Sequence, residues 1–360
     1  MGADHMNSKI RQVAKQLNAG CSSIAWETQD GKHIWGRNYD FNSIAESATT
    51  VVPRGLKYYT AGTPYDHNLS EENIVTAKYA AVGVGTMAMQ VTPVFYEGIN
   101  EKGLMGGQLF YAGFASFPDV PRPNSQELNP GYVVTHALLQ CATVDEVVDL
   151  LTKKATCVNQ ALAGSTATVH WVFSDRSGET IIIEPDNQQM TIYRHTAGVM
   201  TNSPDYRWHK QNLLSYLNVK NDEFPDRNMD GIEVQKPFKE TGALGLSGDF
   251  TSQSRFIRAS FLKYYGIKGK NEEEGIQYLF HLLDNVAMPL GIVKIADHGD
   301  QQDYDETIYS AAMCAESLKF YWKSYKSSTV QCVDLNYELN NPEVKSFPLN
   351  NETPDFKNVN

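Results

Sequence analysis

The chain has 360 residues, enough for one large domain or two, and 41% hydrophobic with 20% charged residues is the balance of an ordinary globular protein. A formal net charge of -11 and a pI near 5.3 exclude nucleic acid or anionic membrane as the main partner, because both select basic surface. The five cysteines, Cys21, Cys141, Cys157, Cys314 and Cys332, contain no CxxC pair, so they offer no zinc or redox pattern and fit a reducing, cytoplasmic compartment.

Residues 1–20 carry Lys9, Arg11 and Lys15, with Ile10, Val13 and Leu17 at helical spacing. They lack the apolar core of an export signal. No apolar run approaches the length of a membrane helix. Cys21 then opens a strand, Cys21 to Thr28, in which Ile24 and Trp26 alternate with smaller or polar residues. Asp30-Gly31 is a two-residue hairpin signal, and a second strand follows from His33 to Asn38. Pairing around that turn returns Arg37 and Asp40 to the neighbourhood of the Cys21 sulfur.

A thiol attacks only as thiolate, and no local His is placed to deprotonate Cys21. A cut between Gly20 and Cys21 would free an α-amino group, with a reference pKa of about 7.7–8.0, to serve as the base. The alternative is a buried structural Cys at a strand start.

Further along, Val51-Val52 runs into a Pro53-Arg54-Gly55 turn, and strands are expected at Lys78–Gly83, Pro93–Glu97 and Leu104–Phe110, with a tight turn across Gly98–Gly103. A helix is expected over Tyr132–Cys141, and Thr143 with Glu146 forms a capping box for the next. A second β block covers Thr168–Ser174, Thr180–Glu184 and Met190–Tyr193. Helices follow at Tyr206–Leu217, Arg255–Tyr265 and Glu273–Ala287, then strands at Thr307–Met313, Leu318–Ser324 and Thr329–Asp334. Asn221–Glu240 reads as a surface loop. This order suits an α+β protein of two stacked antiparallel sheets covered by helices, among other α+β folds.

The stretch CSSIAWETQDGKHIWGRNYDF, with Cys21, Arg37 and Asp40, resembles the start of a mature choloylglycine hydrolase or penicillin V acylase, members of the N-terminal nucleophile (Ntn) hydrolases. Three further stretches resemble the same family: Gly198–Pro204 (GVMTNSP), Gly245–Phe256 (GLSGDFTSQSRF) and Glu97–Tyr111 (EGINEKGLMGGQLFY). The likeness extends from Cys21 to at least the Thr307–Met313 stretch.

The resemblance implies a four-layer αββα sandwich, residues 21–360 as one catalytic domain, and a leader, 1–20, removed by the thiol itself. It also implies amide hydrolysis with Cys21 as nucleophile, Asp40 holding the α-amino group, Asn202 as oxyanion donor and Arg37 and Arg255 as guanidiniums favouring thiolate. No metal or organic cofactor is needed, the substrate is a small-molecule amide, and the assembly expected is a homotetramer. Read alone, Asn202 also suits an Asn-Ser-Pro turn before a helix, and Arg255 a solvated residue at a helix start.

Phe110 stands where bile salt hydrolases carry Asn and penicillin V acylases Tyr, so only its backbone N–H can serve the oxyanion. Together with the aromatic run Phe110, Tyr111, Phe114 and Phe117, which suits a phenoxyacetyl group or equally core packing and in which Phe110 and Tyr111 are substrate-binding candidates, this points to penicillin V as substrate. Conjugated bile salt hydrolysis is the alternative. Acyl-homoserine lactone cleavage and a lipid-anchored binding protein stand further off, and a papain-like Cys-His protease lacks the sequence context of its Cys and His.

Overall fold

The structure, a computed structural model, describes residues 20–44, 46–298, 301–349, 353–354 and 356–360. Strands of the two large sheets are numbered here along the chain. One sheet has the order β10 (Val199–Met200), β1 (Gly20–Glu27), β2 (His33–Phe41), β12 (Gln301–Cys314), β13 (Lys319–Ser324), β14 (Gln331–Asp334), with β11 (Val293–His298) also on β12. The other has the order β9 (Gln189–Tyr193), β8 (Thr180–Asp186), β7 (Val169–Ser174), β6 (Met105–Phe110), β5 (Val94–Asn100), β4 (Ala81–Thr86), β3 (Ser47–Val52), β15 (Lys345–Phe347). Every pairing within both sheets is antiparallel.

The sheets stack face to face. Central strands are therefore buried on both faces: every residue of β5, VFYEGIN, is buried, and so is β1 from Cys21 to Trp26. Trp35 of β2 reaches across to the Gly107 position of β6, and Tyr39 meets Tyr96 of β5. The helices α1 (Val133–Gln140), α2 (Val144–Asp149), α3 (Tyr206–Asn212), α4 (Ser252–Tyr265) and α5 (Glu272–Asp284) supply the outer cover. Thr135 of α1 accepts from the Phe95 N–H of β5 at 3.0 Å, and the Leu283 carbonyl of α5 accepts from Asn38 of β2 at 2.8 Å. The result is the expected four-layer αββα, α+β sandwich.

Several boundaries differ from the sequence reading, each for a local reason. β5 runs on through Asn100, and the turn after it shrinks to Glu101-Lys102 because Asn100 Oδ1 accepts from the Lys102 and Leu104 N–H groups, at 3.0 and 3.1 Å. β4 starts at Ala81 rather than Lys78. The capping box at Thr143 is offset, since Glu146 accepts from the Ala142 N–H at 2.7 Å rather than from Thr143. Asn221–Glu240 contains a hairpin, Arg227–Met229 with Ile232–Val234, turning at Asp230-Gly231 with φ of 52° and 90°. Among the described residues no helix is long and apolar enough to cross a membrane.

Candidate active site

The β1–β2 ladder pairs Gly20 with Asp40, Cys21 with Tyr39 and Ser23 with Arg37. Opposite residues share a face, and alternate ones do not. Cys21, Arg37 and Tyr39 therefore point between the sheets, whereas Asp40 and Asn38 point to the helix side. Arg37 meets the sulfur as expected. Asp40 lies on the other face, beside Gly20 in the ladder.

Between the sheets, Arg37 Nη2 lies in close contact with Cys21 Sγ. Its Nη1 donates to the Tyr96 and Gln108 carbonyls of the facing sheet at 3.2 and 2.8 Å and pairs with Glu97 Oε2 at 3.0 Å. Both Glu97 oxygens lie within reach of the Tyr309 hydroxyl, which donates at 2.8 and 3.0 Å. Tyr39 stacks on Tyr309 with ring centroids 5.0 Å apart. Gly107, opposite Glu97 in the β5–β6 ladder, leaves the necessary room: a Cβ there would stand 2.9 Å from both Glu97 Cβ and Trp35. Burial pushes Glu97 up to about 7, against the pull of Arg37 and Tyr309.

On the helix side, Arg255 enters from the first turn of α4, whose N-cap is Thr251. Its Nη1 donates to the Cys21 carbonyl at 2.6 Å and to Ser22 Oγ at 2.7 Å, and its Nη2 to Asn202 Oδ1 at 2.7 Å. Asp40 Oδ2 stands 3.7 Å from Arg255 Nη1 and has no hydrogen-bond partner among the described residues, while Asp40 Oδ1 accepts from the Thr307 hydroxyl. Burial pushes Asp40 up to about 6, against Arg255 and Thr307. This arginine is buried, not a solvated one at a helix start.

Thr307 and Tyr309 both come from β12 and serve opposite faces. A regular strand would send residues two apart to the same side. The β2–β12 register shifts between Thr307 and Tyr309, leaving Ile308 as the extra residue of a bulge, so Thr307 opposes Asp40 and Tyr309 opposes Tyr39.

Asn202 joins the two faces. Its Oδ1 accepts from the Cys21 N–H at 3.0 Å as well as from Arg255, which fixes the amide orientation, and its Nδ2 donates to the Phe110 carbonyl at 3.0 Å. The Asn202 N–H donates to Ser252 Oγ at 2.9 Å, and His209 Nε2 donates to the Asn202 carbonyl at 2.8 Å. Burial drives His209 down to about 4, so this ring is neutral at neutral pH. His170 Nε2 likewise donates to the Thr201 carbonyl at 3.0 Å. The helix that follows is capped by Asp205, accepting from the Trp208 N–H at 2.6 Å, so the Asn-Ser-Pro turn before a helix is present together with the contacts of Asn202 at the site.

Burial pushes the Cys21 thiol up to about 12, against Arg37 and Arg255. The expected pull of the two guanidiniums is present, but with Gly20 attached desolvation outweighs it. Phe110 is half-buried at the end of β6. Tyr111 is buried, stacked on His170 with centroids 4.6 Å apart, and its hydroxyl donates to Asp186 Oδ1 at 2.7 Å; Phe114 stacks on its other flank and is exposed. Phe117 packs against Trp171 in the core. None of the five cysteines forms a disulfide. The sequence reading missed Glu97, Thr307, Tyr309 and Ser252. An acidic residue inside an otherwise apolar strand was the available signal for Glu97, and the other three carry none locally.

A sulfur, two buried guanidiniums and a clamped amide define a site fit for attack on a carbonyl. Residues 21–347 match the model of the linear amide C–N hydrolases, choloylglycine hydrolase family, and the chain belongs to that family; it is a hydrolase acting on carbon–nitrogen bonds of linear amides. It is 30% identical to a bile salt hydrolase/transferase of Clostridium perfringens over 343 residues, covering 94% of this chain and 100% of that protein. A solved structure of a variant of the conjugated bile acid hydrolase of Clostridium perfringens superposes with a TM-score of 0.82 at 30% identity, covering 94% of this chain and all of that one. A penicillin V acylase of Pectobacterium atrosepticum is 26% identical over 322 residues, covering 84% of this chain and 77% of that protein. The fold is that of the Ntn hydrolases.

Proposed function

We propose that this chain is a cysteine Ntn hydrolase of conjugated bile salts, releasing glycine or taurine, after removal of the residues before Cys21. The observation that carries the chemistry is the convergence of Arg37 on the Cys21 sulfur and of Arg255 and the Cys21 nitrogen on Asn202 Oδ1. The substrate reading rests on the bile salt hydrolase/transferase relative, which spans nearly the whole chain, and replaces the penicillin V reading drawn from the sequence.

Cleavage between Gly20 and Cys21 would turn the Cys21 N–H into an α-amino group beside Asp40, whose buried Oδ2 still wants a donor. In the reaction that amine takes the thiol proton, the thiolate attacks the substrate carbonyl, and the Asn202 amide with the Phe110 backbone N–H hold the oxyanion. The proton passes to the departing amine. Water then hydrolyses the thioester, returning the thiol and releasing the acid. The five cysteines outside disulfides support a cytoplasmic setting. The homotetramer rests on the family likeness alone; the solvent-facing hairpin with exposed Met229, Ile232 and Val234 offers apolar surface for self-association, and light scattering would weigh the assembly directly.

One observation favours a second reading. Phe110 brings no side-chain donor, and the exposed Phe114 ring stacked on Tyr111 offers an apolar surface suited to a phenoxyacetyl group. Parallel kcat/KM measurements with glycocholate, taurocholate and penicillin V decide between them. Preference for the bile salts supports the proposal; preference for penicillin V transfers it to the second reading.

A further inference from the structure

We infer that Glu97, anchored by the Tyr309 hydroxyl, is a positioning residue that sets how much of the Arg37 charge reaches the Cys21 sulfur. This rests on the reading of Cys21 as the nucleophile. The two ends of one guanidinium are divided between two partners: Nη2 touches the sulfur, while Nη1 pairs with Glu97 Oε2 at 3.0 Å. Arg37 and Glu97 are buried, so little solvent screens the charges. An ionised Glu97 neutralises Arg37 and opposes a thiolate at Cys21; a neutral Glu97 leaves the guanidinium to the sulfur.

The arrangement is built, not incidental. The bulge at Ile308 is what turns the Tyr309 hydroxyl onto both Glu97 oxygens, and Gly107 is what makes space for the carboxylate. The titratable groups facing Glu97 are Arg37 and Tyr39 from β2, Tyr96 from its own strand, Tyr309 from β12, and Cys21 from β1 with its α-amino group once freed. Of the strands beside it in its own sheet, β6 contributes Gly107 and the Gln108 carbonyl and β4 contributes Val84, none of them titratable. Asp40 and Arg255 act from the far face of the first sheet. Burial pushes Tyr39, Tyr96 and Tyr309 upward, which keeps all three hydroxyls protonated over the working range. Glu97, pushed up to about 7, is therefore the group in this shell, apart from Cys21 itself and its amine, that changes charge near neutrality.

The test is the pH dependence of Cys21 alkylation by iodoacetamide in the full purified chain, read by mass spectrometry on the Cys21 peptide, alongside the kcat/KM profile. Glu97→Gln keeps the shape and an acceptor for Tyr309 while removing the charge. Its alkylation inflection is expected about one pH unit or more below wild type, with the acid limb of kcat/KM moving the same way. Tyr309→Phe, which withdraws the donor that holds the carboxylate ionised, moves both in the same direction by less. A residue that served stability alone would lower the melting temperature and leave both inflections in place, and that result overturns the inference. Should Glu97→Gln fail to fold, the Tyr309→Phe inflection decides. Cys21→Ser separates the two claims: hydrolysis persisting in that variant removes the nucleophile reading itself, whereas an inactive Cys21→Ser with an unmoved Glu97→Gln inflection removes only the role of Glu97.

Discussion

Two buried arginine–carboxylate couples flank Cys21, Arg37 with Glu97 between the sheets and Arg255 with Asp40 on the helix side, and each carboxylate takes a hydroxyl from β12. The parts match and the geometry does not. The inner pair is closed at 3.0 Å and touches the sulfur, so it acts on the charge of the thiol. The outer pair is open at 3.7 Å, leaving one Asp40 oxygen without a hydrogen-bond partner among the described residues and the guanidinium spent on the Cys21 carbonyl, Ser22 and Asn202. Buried ion pairs rarely add net stability, so what distinguishes these two is where each hands its leftover valence. The inner one hands it to the nucleophile, the outer one to backbone, amide and a place for an amine.

Substitutions separate the two couples. Arg37→Met strands the buried Glu97 carboxylate and is expected to lower stability by about 3–5 kcal/mol in urea unfolding, the largest effect of the series. Arg37→Met with Glu97→Leu should recover most of it. Asn202→Ala is expected to cost roughly 2.7–4 kcal/mol in the transition state, a kcat loss of about 100- to 1000-fold, with a smaller change in KM. Thr307→Val removes the hydroxyl that donates to Asp40 Oδ1 and should destabilise by about 1–3 kcal/mol. Its loss should fall on processing and turnover while leaving the Cys21 alkylation inflection close to wild type, because the change lies on the outer face.

The smallest effect is a slope. Glu97 and Asp40 both bind protons more tightly folded than unfolded, so their contribution is fully present below pH 4 and is lost as pH rises through about 6 for Asp40 and about 7 for Glu97. Wild-type melting temperature should carry a downward component across that window, and Glu97→Gln should lack the Glu97 part of it. A melting curve for Glu97→Gln parallel to wild type from pH 5 to 8 would mean that Glu97 does not titrate there.

What was legible in the sequence follows the same division. The β1–β2 hairpin could be read from Asp30-Gly31, but its register could not: a two-residue loop would pair Cys21 with Asp40 and turn Arg37 to the other face. Instead the Thr28 N–H donates to the Lys32 carbonyl at 3.0 Å across a three-residue turn, Gln29 to Gly31, with Gly31 at φ 82°, and that register brings Arg37 to Cys21. The face on which Asp40 falls also follows from that register, by parity. Neither Glu97 nor the β12 hydroxyls could be assigned, because their meeting depends on a bulge and on cross-sheet stacking, which local sequence does not encode. The second Asp-Gly, Asp230-Gly231, shows the converse: the same turn signal makes a hairpin whose strands bury nothing, and without a buried face it read as loop. Asn202 and Arg255 were placed through family likeness; their mutual hydrogen bond is a fact of the fold.

The most direct measurement is the intact mass and N-terminal sequence of purified wild type beside Cys21→Ser. A wild-type chain beginning at Cys21, with Cys21→Ser retaining the preceding residues and no hydrolysis, is the expected result. An active wild-type enzyme that still carries Gly20 on Cys21 would contradict the α-amino base and, with it, the assignment of Asp40 as its holder.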